Sequence, residues 1–241
     1  MIHRERRGNV ALLTIDRQAR RNAVDHEACV QLRAALEDEV AGGARAVVLT
    51  GAGGHFCAGA DLTGVEGDEF RTALRQLLDA LVTVPVAVIA AVSGAALGAG
   101  TQLAVACDLR VTTADARFGI PAAKLGLMVD HWTVQRVALL AGHGPARAML
   151  LAADEVSGAD ALRLGLAQWE GDLEAALDRA ARIAELAPLT IAGHKLALNR
   201  LEPALADADV AAAIARAWSS EDMAEGQAAF RERRAPQFRG R

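Results

Sequence analysis

Short, unbroken apolar runs alternate along the first half of the chain with longer stretches in which apolar residues recur every three or four positions. The runs VALLTID (10–16), AVVLT (46–50), VAVIAAV (86–92) and LRVTT (109–113) read as strands. The longer periodic stretches predict helices near 26–40, 68–82 and 102–107. Strands that are apolar at nearly every position belong to a sheet covered on both faces. Their alternation with helices points to an α/β chain with a largely parallel sheet.

From Trp132 onward the period of two disappears. Helical spacing runs through 132–141, 145–151, 159–164, 173–186, 190–199, 208–218 and 223–231. Ser157, followed three residues later by Asp160, forms a capping box at the start of one of these helices. The pattern divides the chain into a core over 1–187 and a helical C-terminal segment over 188–241 that would cover the core or trade contacts between subunits. Apolar residues in the final helices favour oligomerisation.

Composition narrows the classes of function. The 241 residues are 52% hydrophobic and 23% charged, as in a globular protein with a sizeable core. A net charge of −4 gives no electrostatic case for a nucleic-acid partner. Cys29, Cys57 and Cys107 are odd in number and set among apolar residues, so they read as buried thiols in a reducing, cytoplasmic compartment rather than as a disulfide frame or metal site. No charge occurs between Ala80 and Cys107, but Pro85, Gly94, Gly98 and Gly100 interrupt that stretch. It reads as a buried strand feeding a buried helix, not as a membrane span.

Two glycine-rich stretches remain, GAGGHFCAGADL (51–62) and SGAALGAGTQ (93–102). Neither ends in Gly-Lys-Ser/Thr or has G-x-G-x-x-G spacing, and Ser93 lacks the glycines of a nucleophile elbow. By spacing alone they are either tight strand-to-helix turns or backbone cradles for an anion. HFCAGADL, then SGAALGAGTQLAVACDLRV and ARFGIPAAKLGL, resemble the enoyl-CoA hydratase/isomerase family, the crotonase superfamily. An early IDRQARRNAV and a late SSEDMAEGQAAFRERRAPQF extend the likeness over nearly the whole chain.

The resemblance implies a crotonase-like spiral of ββα units with a helical C-terminal region, assembled as a homotrimer or a dimer of trimers. It implies a fatty acyl or enoyl thioester of coenzyme A as ligand, and no metal or redox cofactor. The thioester oxygen would sit between the backbone N–H groups of Ala60 and Ala99. A preorganised donor of that kind contributes about 3 kcal/mol to transition-state stabilisation. Ala58 would lie near the adenine, with Asp61 and Leu62 beside it, and Arg20, Arg21 and Arg241 are candidates for the phosphates, each of which could equally be a solvated surface charge.

The hydratases of this family use two glutamates, where this chain has Gln102 and Ala122. Glutamine can orient a water but cannot take its proton, and alanine can do neither. Asp130, in GLMVDHW, falls where some relatives of isomerase type carry an active aspartate, yet it also directly precedes a helical pattern as an N-cap would. His131 and Trp132 would line the acyl pocket or occupy the first helical turn. Two functions stay open. One is an acyl-CoA-binding protein of fatty-acid metabolism with little or no hydratase activity, working beside a partner enzyme. The other is an isomerase using Asp130 as acid/base over the Ala60/Ala99 oxyanion hole. Alanine at 122 makes the pocket roomier and favours a longer acyl chain.

Overall fold

The computed structural model describes residues 1–61, 68–200, 212, 214–216 and 218–237. Leu62 and Arg241 lie outside the described residues, as do 208–211, 213 and 217 of the helix expected over 208–218. A six-stranded sheet forms the centre, in the order β1 (Ile2–Arg7), β2 (Val10–Ile15), β3 (Ala46–Gly51), β4 (Ala87–Val92), β6 (Leu109–Thr112) and β9 (Trp169–Glu170). Only the β1–β2 pair is antiparallel.

The unbroken apolar runs follow from burial on both sides. Leu13, Leu49 and Ala90 are in register across β2, β3 and β4 and face the larger core. There they meet α1 (His26–Ala41), α2 (Asp68–Thr83) and α3 (Ala99–Ala106). Their neighbours Leu12, Val48 and Ile89 face the other way, onto Leu177 and Ala180 of α7 (Leu173–Ala184). Each fully buried leucine or isoleucine contributes about 2 kcal/mol relative to exposure. β1, with the sequence IHRERR, shows no apolar pattern because it is an edge strand. Its Arg4 and Arg6 reach across to Asp38 and Glu39 of α1 at 2.8–3.0 Å.

A second, smaller sheet escapes the periodicity altogether. β5 (Ala95–Leu97), β7 (Arg117–Gly119) and β8 (Glu155–Ser157) have three residues each, too few to show a period. Single parallel bridges place Cys57 alongside Ala96 of β5 and Ala60 alongside Val24.

The helical half follows α4 (His131–Ala141), α5 (His143–Arg147), α6 (Gly158–Leu164), α7, α8 (Pro188–Asn199) and α9 (Glu221–Glu232). The helix expected over 145–151 is instead α5 followed by a wider π-turn over Ala148–Ala152, which stops at Ala153 with φ 54°. The expected capping box at α6 is present: Ser157 Oγ accepts the Asp160 N–H at 3.1 Å. α8 buries a single side chain, Lys195. Its Nζ donates to the Leu81 and Val86 carbonyls and to Asp108 Oδ2 at 2.8–3.0 Å. Asp108 accepts the Val88 N–H as well, so one buried ion pair ties this helix to β4. Among the described residues no helix is long and apolar enough to cross a membrane.

Candidate active site: an apolar cavity between two backbone donors

The helix expected to start at 102 starts three residues earlier, because its glycines belong to the first turn rather than to a loop. Gly98 is the N-cap of α3 with φ 53° and ψ −117°, a conformation that favours glycine. Gly100 packs against the other cradle so closely that an added Cβ would stand 2.0 Å from the Cys57 carbonyl oxygen. Parallel pairing closes the arrangement: Cys57 N–H donates to Ala95 O at 2.9 Å and Leu97 N–H to Cys57 O at 3.0 Å. Thr101 Oγ1 fastens the base, lying 2.6 and 2.8 Å from the Ala96 and Gly119 carbonyls and accepting the Gly119 N–H at 3.0 Å.

Gly59, where an added Cβ would stand 3.2 Å from the Leu97 carbonyl oxygen, brings Ala60 close to Ala99 at the start of α3. Among the described residues, neither N–H has an acceptor. The Ala99 N–H is the first of α3, where no intrahelical partner exists and the helix dipole favours negative charge. Both residues line a cavity of about 930 Å³. Its other walls are Phe70 and Leu74 of α2, the short 3₁₀ helix Pro121–Leu125, residues 127–130, and Ile214, Trp218 and Phe230 from the C-terminal segment. The lining is mostly apolar, which suits an acyl chain.

Gln102, Ala122 and Asp130 also line the cavity. Asp130 is the N-cap of α4, and its Oδ1 accepts the Thr133 N–H at 2.9 Å. Its Oδ2 accepts the Thr133 hydroxyl at 2.9 Å and Gln102 Nε2 at 3.2 Å. Gln102 Nε2 also donates to Thr133 Oγ1 at 2.8 Å, and Arg75 Nη1 stands 3.5 Å from Asp130 Oδ1. Both carboxylate oxygens are thus engaged.

The other expected site residues fall into different places. Ala58 lines the cavity, and its N–H donates to Arg21 O at 3.0 Å. Asp61 is buried and does not line it; its carboxylate lies 3.3 Å from Arg17 and 3.9 Å from Arg20, holding two loops together. Arg20 and Arg21 are exposed. His131 and Trp132 also stand outside the cavity lining, because the start of α4 turns them away: Trp132 packs on the core with the Arg75 guanidinium 4.4 Å from its ring centre. Sequence reasoning missed Thr133, Arg75, Arg17 and Trp218. Thr133 alone had a local signal, three residues after an N-cap. Trp218 donates its Nε1–H to Met128 O at 2.8 Å and lies under Arg71, contacts no spacing foretells.

All three thiols are buried, and burial pushes each up to about 12. They are inert structural side chains rather than nucleophiles.

The family model described as enoyl-CoA hydratase/isomerase matches residues 5–241. The chain is 43% identical over 235 residues, 95% of its length, to a Mycobacterium tuberculosis protein named "Probable enoyl-CoA hydratase echA6", covering 96% of that protein. It is 34% identical to the solved carnitinyl-CoA hydratase from Mycobacterium avium, with a TM-score of 0.83 over 100% of this chain and 98% of that one. The structure of methylmalonyl-CoA decarboxylase, at 24% identity, shares the fold with a TM-score of 0.91 over 100% of this chain and 98% of that one. With its crotonase fold and a family match over nearly its whole length, the chain belongs to the enoyl-CoA hydratase/isomerase family.

Proposed function

We propose that the protein binds fatty acyl or enoyl thioesters of coenzyme A with little or no hydratase turnover, within lipid metabolism. One observation carries the reading. Two backbone donors without an acceptor among the described residues line an apolar cavity in which Gln102 and Ala122 supply no acid. The cradle stabilises a thioester oxygen by position alone, whereas hydration needs a base for water and an acid for carbon. The names of the relatives support coenzyme A thioesters as the ligand class. Trimeric assembly is part of the same reading, supported by the exposed Leu189, Leu196 and Leu198 on α8, which would be covered by another copy.

The second reading, an isomerase using Asp130, draws support from Asp130 lining the cavity. Against it stands the carboxylate's engagement by the α4 N-terminus, the Thr133 hydroxyl and Gln102.

The test incubates a pool of enoyl-CoAs of graded length with the protein in heavy water and follows mass. The expected result is no mass change, with thioesters retained on the protein through gel filtration. Gain of one water would sink the proposal in favour of a hydratase. Deuterium on carbon without added water would establish the isomerase instead.

A further inference from the structure

Arg110 of β6 is the largest fully buried side chain, and no carboxylate among the described residues accepts a hydrogen from it. Its five N–H groups meet four backbone carbonyls and one amide oxygen. Nη1 donates to Ala104 O at 3.1 Å and to Cys107 O at 2.8 Å. Nη2 lies 3.3 Å from both Asp108 O and Gln168 Oε1, and Nε donates to Leu166 O. The neighbouring carboxylate of Asp108 is held instead by Lys195 Nζ and the Val88 N–H, each at 2.8 Å. Burial lowers the Arg110 guanidinium only to about 10, so it is charged at neutral pH.

Ala104 and Cys107 belong to the end of α3. The last carbonyls of a helix have no intrahelical partner and carry its negative pole. Arg136 of α4 reaches the same end, with its Nε 2.9 Å from Val105 O. Ala99, whose N–H has no acceptor among the described residues, begins this helix at the cavity. Eight residues span about 12 Å, so guanidinium and donor stand at opposite poles of one short dipole.

We propose that Arg110 acts on the ligand through α3, as a positioning residue: its buried charge offsets the negative pole of the helix, and the Ala99 N–H then polarises a bound thioester oxygen more strongly. In so short a helix the two poles otherwise oppose each other at the oxygen. All eight residues of α3 are buried, so water screens the interaction little. Neutral donors would satisfy the same carbonyls without the desolvation cost of a buried cation. The field along α3 is what the charge alone adds. At an effective dielectric of about 20, a unit charge about 12 Å away changes affinity for a full negative charge by about tenfold. A thioester oxygen gains part of a charge, so its carbonyl band is the sensitive readout.

The inference rests on acyl-CoA binding with the thioester oxygen at the Ala60 and Ala99 N–H groups, and infrared spectroscopy separates the two. A saturated acyl-CoA, isotope-labelled at the thioester carbonyl, is bound to the protein and its carbonyl band compared with that in water. In the wild type the band is expected at lower frequency. Arg110→Met, which keeps the bulk without the charge, moves it back up, and Arg110→Lys restores the wild-type position. Gln168→Glu leaves the guanidinium in place and sets a carboxylate beside Nη2 at an exposed residue. It is expected to hold stability in urea unfolding, since it pairs a buried charge, yet to raise the band by less than Arg110→Met. An arginine that only satisfies carbonyls gives no such shift. A band left at its wild-type position by Gln168→Glu overturns the inference and leaves acyl-CoA binding standing. No binding, or no fall in frequency in the wild type, overturns both. Should Arg110→Met not fold, Gln168→Glu alone decides.

Discussion

The two walls of the cavity are made from different parts of the polypeptide. The cradle wall is backbone: the Ala60 and Ala99 N–H groups, placed by a bridge to Val24 and by the start of α3. The other polar wall is side chain: Gln102 and Asp130, placed by hydrogen bonds between α3 and the start of α4. A backbone donor survives any substitution that keeps the chain path. A side-chain acid is lost with a single codon. On the proposed reading, one fold therefore keeps its grip on a thioester oxygen while the side chains beside it change.

The largest break in this comparison comes from the backbone side. Gly100→Val would force a side chain against the Cys57 carbonyl, and a loss of about 3 kcal/mol or more in urea unfolding is expected, together with acyl-CoA binding. Near-normal stability would show that the cradle is more plastic than its contacts indicate.

On the side-chain wall, Gln102→Glu is expected to cost about 2 kcal/mol at pH 7, because two carboxylates would share one site. One of the pair then has a raised folded-state pKa, so the deficit shrinks as the pH falls towards 5 and is greatest above that pKa. A deficit independent of pH would point to packing instead. The same substitution is expected not to restore hydration, since Ala122 still supplies no second acid.

Asp130→Ala removes an N-cap and the partner of Gln102, for about 1–2 kcal/mol, whereas Asp130→Asn retains the cap and costs a few tenths. Equal effects would mean that the charge, not the cap, matters.

The smallest effect at neutral pH concerns the thiols. Each has its folded pKa pushed by burial to about 12, above an unfolded value near 8.5. Their contribution is complete below the unfolded pKa and is lost as the pH rises through about 12, by up to about 1.4 kcal/mol per pH unit for each thiol. Alanine at all three positions should flatten the alkaline fall in the urea midpoint; an unchanged slope would assign that fall to other groups.

Much of the fold was legible. Strands β2, β3, β4 and β6 announced themselves because burial on both faces leaves an unbroken apolar run, and α1 and α2 because one buried face repeats at helical spacing. β1 did not, since an edge strand can carry IHRERR and pair those charges with α1. β5, β7 and β8 did not, since three residues show no period.

The site divides in the same way. Gly98 and Gly100 stood out because a left-handed φ and a close backbone approach restrict the residue type at those positions, whereas the roles of Ala60 and Ala99 came only from the family resemblance. That Gln102 and Ala122 stand where the hydratases carry glutamates likewise came from that resemblance and not from any local pattern. Asp130 read as a cap, because its partner is three residues away. That its other oxygen holds Gln102, 28 residues away, had no local trace. Neither did the turning of Trp132 out of the cavity onto Arg75, nor the Lys195–Asp108 tie across 87 residues. Hydrophobic period is set by near neighbours, so the one-dimensional chain determined the longer buried strands and the helices with one buried face. Which way an amide turns depends on donors and acceptors delivered by elements distant in sequence, and only the packed structure brings those together.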